Sequence, residues 1–176
     1  MMVNTFQMMV AWRKVVVAAL LDLLALVFVF FVPALSHHSG LPVYLIEPMR
    51  VMIILALLHS HRVNAWALAV ILPAFSYFVS GHPLPVKMVI ITLELLLNVG
   101  LFQLLRGRIS PFFAMASAIL VSKVFYYLVK YLVVSLGWLQ MELFATPFTI
   151  QLITMLVFSG YAWLILNSRI QKNKRR

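Results

Sequence analysis

Six apolar stretches, at residues 14–35, 43–60, 63–80, 85–105, 111–136 and 145–166, decide what this chain can be. Crossing the ~30 Å hydrocarbon layer takes about 20 mostly apolar residues, and each stretch is close to that length. Only short polar or Pro/Gly-containing segments separate them: Ser36-His37-His38-Ser39-Gly40-Leu41-Pro42, His61-Arg62, Gly81-His82-Pro83-Leu84, Arg106-Gly107-Arg108-Ile109-Ser110, and residues 137–144. Backbone in lipid must satisfy its own hydrogen bonds, so the stretches are expected to be helices, with no sequence left for a soluble domain. The composition agrees. Charged residues make up 10% of the chain and hydrophobic ones 64%, whereas a soluble domain carries roughly 25% charged residues. With 6 Gly and 8 Pro, collagen-like and disordered classes fall too. The expected fold is an all-α integral membrane protein, a single six-helix domain over residues 1–176 with a basic tail at 167–176.

The formal net charge of +10 could suggest nucleic acid, but its placement points elsewhere. If the N-terminus is cytoplasmic, that side receives Arg13, Lys14, Arg62, Arg106, Arg108, Arg169, Lys172, Lys174, Arg175 and Arg176, and the outer side only Lys87. Ten against one, alternating through five loops, is the positive-inside pattern for six spans with both termini cytoplasmic. The tail is expected to touch anionic headgroups. The first stretch is long and no small-x-small cleavage site with a polar sequel follows it, so it reads as a retained span. The absence of Cys removes disulfides, thiolate metal sites and cysteine nucleophiles.

An ionisable residue inside a span costs at least a few kcal/mol and is a functional or pairing hypothesis by default. Asp22, Glu47, Arg50, Lys87, Glu94, Lys123 and Lys130 all fall within or just inside spans. On the fourth helix Lys87, Ile91, Glu94 and Asn98 recur at spacings of four, three and four, one stripe of the 3.6-residue period. Lys123, Tyr127 and Lys130 make a similar stripe on the fifth helix, flanked by Tyr126 and Tyr131. At 1.5 Å per residue, Glu94 lies roughly 13 Å, Lys130 roughly 9 Å and Lys123 roughly 20 Å below the outer ends of their helices. Gln151 and Thr154 of the sixth helix belong to the same outer half. Glu47 and Arg50, spaced i, i+3, can neutralise each other.

In the outer half four bases (Arg50, Lys87, Lys123, Lys130) face three acids (Glu47, Glu94, Glu142). A buried cationic surplus calls for deprotonation, water or an anion. The economical expectation is an outward-facing pocket for a small anionic or zwitterionic solute, lined by Lys87, Glu94, Asn98, Lys123, Tyr127, Lys130 and Gln151. Lys123 or Lys130 would hold the anion, and Glu94 and Asn98 would take hydrogen-bond donors. The same charges could instead be interhelical glue in a structural or assembly subunit of a larger membrane complex. Small residues at Ala65-x-x-x-Ala69 and Ala114-x-x-x-Ala118 permit close helix approach, either inside the bundle or at a docking face for a partner subunit.

Enzymatic signatures are missing. There is no G-x-S-x-G, no H-E-x-x-H and no Gly-rich phosphate loop, so no catalytic residue, cofactor or nucleotide hydrolysis is expected. His37-His38 lacks a third ligand in its loop and reads as a solvated pair with no metal. A lipid- or isoprenoid-directed enzyme using Glu47, His37 or His38 is the remaining rival.

Six helices in so short a chain, a Ser/His/Gly/Pro-rich first outer loop, and Gly81-His82-Pro83-x-Pro85-x-Lys87 leading into a helix with Glu94 and Asn98 together resemble the substrate-binding S component of energy-coupling factor (ECF) transporters. The likeness is architectural over the whole chain and at residue level covers mainly residues 81–105. It implies a vitamin or micronutrient importer subunit in the cytoplasmic membrane of a prokaryote. Its ligand would sit in the outer half among helices four to six, beneath the first and third loops, and a membrane coupling subunit with two ATPases would drive transport through tilting of the S component. The family often carries Ala-x-x-x-Ala on helix one for the coupling contact. Here Ala18-Ala19-Leu20-Leu21-Asp22 breaks that pattern, which moves the expected docking to Ala65 and Ala69.

Overall fold

The computed structural model describes residues 2–139, 143 and 146–174, and the side chains of residues 12, 13, 15–139, 143 and 146–172. Among these the chain is all-helical, without strands. The helices are α1 (Met2–Ser39), α2 (Pro48–His59), α3 (Arg62–Ser80), α4 (Pro85–Leu105), α5 (Pro111–Ser135) and α6 (Phe148–Lys174), with a 3-10 turn at Val43–Ile46 ahead of α2. Pro48, Pro85 and Pro111 open their helices, where the missing N–H costs nothing because the first-turn donors have no intrahelical acceptor. Gly81 ends α3 at φ 68°, a left-handed conformation that only a residue without Cβ takes freely, and its N–H bonds the Tyr77 carbonyl at 2.9 Å.

Among the described residues five helices are long and apolar enough to cross a membrane: Val15–Ser39 within α1, Arg62–Ser80, Pro85–Leu105, Pro111–Ser135 and Phe148–Lys172 within α6. The molecule is thus read as a multi-pass membrane protein. Bands of exposed Leu, Val and Phe support it, for example Leu20, Leu24 and Val27 on α1, Leu128 and Leu132 on α5, and Leu156 and Val157 on α6.

The second apolar stretch departs from expectation. It is not one helix over 43–60 but a 3-10 turn, a left-handed Glu47 (φ 57°, ψ 62°) and the 12-residue α2. Pro48 is the cause: a proline disfavours the α conformation in the residue before it and cannot donate to the preceding turn. Tyr44 and Glu47 of this segment line a cavity, while Ile46 is exposed. The Glu47 N–H bonds Tyr44 O at 3.3 Å, and the Glu47 carbonyl accepts from Val51 N at 3.1 Å. α2 packs against α1, α3, α4 and α6, and it buries Arg50, Met52, Ile53, Ile54, Ala56, Leu57 and Leu58.

Three further boundaries differ. α1 begins at Met2, ahead of the expected 14, and runs through Ser36, His37 and His38 to Ser39, past the expected end at 35, and α6 continues to Lys174, past the expected end at 166. Polar side chains mark where lipid ends, not where backbone hydrogen bonding ends. Glu142, Arg175, Arg176 and the expected start of the sixth helix at Ala145 lie outside the described residues.

α4 packs between α3 and α5, and α5 packs on α6. Ala65 and Ala69 of α3 and Ala114 and Ala118 of α5 have no exposed surface and belong to the core with Leu68, Leu72, Val99, Phe102 and Ala162. The small-residue spacings are therefore contact points inside the bundle. A Cβ on Gly100 would lie 3.1 Å from Trp66 Cη2, which shows how closely α3 approaches α4.

Candidate functional site

α1, α3 and α5 finish at the end of the bundle where α2, α4 and α6 begin, and a cavity of about 570 Å³ opens there. Its wall draws Val29, Val32, Pro33 and Ser36 from α1, Tyr44 and Glu47 from the broken segment, and Ser76 and Ser80 from α3. Lys87, Ile91, Glu94 and Leu95 of α4 and Lys123, Tyr126, Tyr127 and Lys130 of α5 complete most of the circuit.

Two carboxylates and two cations from three helices meet at this wall. Arg50 Nη1 lies 2.6 Å from Glu47 Oε2, and Arg50 Nη2 donates to Glu94 Oε1. Lys123 Nζ lies 2.5 Å from Glu47 Oε1 and 3.2 Å from Glu94 Oε1. The side chains of Arg50 and Glu94 are 3% and 5% exposed, deep enough that either charge alone would be strongly disfavoured. The group of four is formally neutral, so its charges balance, although Arg50 Nε has no hydrogen-bond partner among the described residues. Glu47 and Arg50 are thus not a self-contained i, i+3 pair. They join the α4 and α5 stripes, a link that local spacing does not reveal.

Lys123 and Lys130 both approach the Tyr126 ring, at 5.4 and 6.0 Å from its centroid, a geometry in which the ring face offsets part of the ammonium charge. Lys130 is 1% exposed and donates to the Leu143 carbonyl at 2.8 Å. Gln151 Nε2 donates to Tyr127 Oη at 2.6 Å and to the Thr146 carbonyl at 2.9 Å, which fixes the phenol at the cavity edge.

The rim between α3 and α4 is built from the Gly81-His82-Pro83 corner. Ser76 Oγ donates to the His82 carbonyl at 2.8 Å, and Ser80 Oγ reaches the Ser76 carbonyl at 2.6 Å and the His82 carbonyl at 3.2 Å. Lys87 stands one turn beyond and faces the cavity. Among the described residues it has neither an ion pair nor a hydrogen bond.

Of the residues expected to line a pocket, Lys87, Glu94, Lys123, Tyr127 and Lys130 are brought together on one cavity. Gln151 supports Tyr127 from behind and is not on the wall. Asn98 is fully buried one turn below Glu94, away from the cavity, and neither of its side-chain polar atoms is hydrogen-bonded among the described residues. Glu47, Arg50, Tyr126 and the His82 corner were not in that set. The signal for the first two was the Glu47-Pro48 dipeptide, which breaks the helix and turns the Glu47 side chain toward a neighbour.

The opposite end holds uncharged or singly charged pairs. Asn64 Nδ2 donates to Asp22 Oδ1 at 2.7 Å, which accounts for the acid on α1, and His59 Nε2 lies 2.7 Å from Tyr161 Oη. His37 and His38 are exposed, and among the described residues no three His, Asp or Glu side chains gather where a metal ion could be held.

No family model, curated protein or solved structure matches this chain.

Proposed function

We propose that this chain captures a small anionic or zwitterionic solute and serves as the substrate-binding subunit of an importer of the energy-coupling factor type. The observation that carries the reading is the cavity of about 570 Å³ on which charged and phenolic side chains of α4 and α5 converge at one end of the bundle. That volume is in the range of small-molecule sites, roughly 300–1,000 Å³. The resemblance at Gly81-His82-Pro83-x-Pro85-x-Lys87 supports it, because those residues form the rim and Lys87 faces inward. In this reading α2 and its preceding turn make the sixth crossing, both termini are cytoplasmic by the ten-to-one distribution of basic residues, and the cavity faces outward. Energy would come from a membrane coupling subunit and ATPases.

Native mass spectrometry of the chain released from its own membranes tests this. The expected result is a retained non-lipid molecule below about 20–30 non-hydrogen atoms, the size such a cavity encloses. A chain that carries only lipid would end the proposal. That outcome would favour an assembly subunit, the reading consistent with the closed, neutral Glu47–Arg50–Glu94–Lys123 group acting as interhelical glue.

A further inference from the structure

The cations on the cavity wall are not equivalent. Arg50 and Lys123 are matched by Glu47 and Glu94, and Lys130 is held by the Leu143 carbonyl. Lys87 has no such partner among the described residues, and the first turn of α4 contains no acidic side chain. A cation in the first turn of a helix also faces the positive end of the backbone dipole, where anions are favoured. Its surroundings are rigid, since the two serine hydroxyls of α3 are committed to the His82 and Ser76 carbonyls.

From Lys87 to Glu94 is seven residues, roughly 10 Å along the helix. Ile91 lies between them on the cavity wall, and Val29, Val32 and Pro33 of α1 line the same space. Beyond that apolar stretch lies the neutral four-charge floor. A second negative charge placed there would meet two carboxylates that are already balanced, so the floor accepts polar but not anionic groups.

We infer that the solute is a monoanion with an apolar body: its acid group sits on Lys87 at the α3–α4 corner, and its body lies along Ile91 toward the charge-balanced floor. This places the anion at the rim instead of on Lys123 or Lys130, and it rests on the solute-capture reading above. Among the described residues Lys87 has no partner to lose, so its replacement is expected to leave folding intact.

The test is calorimetric titration of the full chain in lipid nanodiscs with naphthalene-2-carboxylate and naphthalene-2-carboxamide, which differ in charge but hardly in shape. The wild type is expected to bind the carboxylate at least tenfold tighter. Lys87→Met should abolish that preference while leaving the amide affinity within threefold, and Lys87→Arg should restore it. Equal binding of the two probes to the wild type overturns the inference, as does a preference that survives Lys87→Met or is lost only in Lys130→Met. If neither probe binds yet a non-lipid molecule still co-purifies, the inference fails and solute capture stands. Lipid alone in the co-purification removes both.

Discussion

The two ends of the bundle use polar residues in opposite ways. At the cavity end, four full charges, from Glu47 ahead of α2 and from α2, α4 and α5, are bound to one another and border open space. At the other end Ala56, Ala65, Ala114, Ala118 and Ala162 draw the helices together around Phe102, and among the described residues the polar ties are hydrogen bonds instead of a charge network, such as Asn64 to Asp22, His59 with Tyr161 and Trp66 to Gln103. Small residues let backbones approach without leaving a void, so one end closes. Long charged side chains hold backbones apart at the length of an ion pair, so the other end opens. The closed end supplies packing, and the open end leaves a lined surface free.

The largest effect should come from breaking the charge group. Arg50→Ala leaves Glu94 and Glu47 with Lys123 alone and is expected to cost about 3–5 kcal/mol, seen as a large drop in thermal midpoint in detergent. The double variant Arg50→Met with Glu94→Leu should cost clearly less than Arg50→Ala, because an apolar pair of similar volume avoids the uncompensated charge. If the double variant is the worse, the network is more than neutral filling. At the closed end, Asn64→Leu strands the half-buried Asp22 carboxylate and should cost about 1–3 kcal/mol by the same assay. Asn98→Leu sharpens the contrast from within: the amide has no partner among the described residues, so its replacement should raise stability by about 1 kcal/mol. A fall instead would mean that Asn98 is engaged in the membrane. Lys87→Met should move stability by less than about 0.5 kcal/mol while changing what the cavity binds.

Much of this was legible in advance for a physical reason. A span is a run of apolar residues, and the α4 and α5 boundaries follow from Pro85 and Pro111 with little ambiguity. The stripes of Lys87, Glu94, Lys123, Tyr127 and Lys130 could be read because helical period and depth are local quantities. Pairing across helices is not local. Glu47 and Arg50 satisfy each other on paper, and only the break before Pro48 lets the same carboxylate reach Lys123. Asn98 shares the period of Glu94 but sits beneath the floor, and Gln151 is turned toward Tyr127, since period specifies a face and not what stands in front of it.

The brevity of α2 bears on how the protein is made. A 12-residue helix with Arg50 in its first turn, most of its residues enclosed by four other helices, is too short to cross the ~30 Å hydrocarbon layer on its own. Of the two carboxylates that hold Arg50, Glu47 comes with its own segment and Glu94 only with α4. A growing chain therefore carries Arg50 half-matched until α4 has been made, which makes the order of synthesis part of what the sequence encodes.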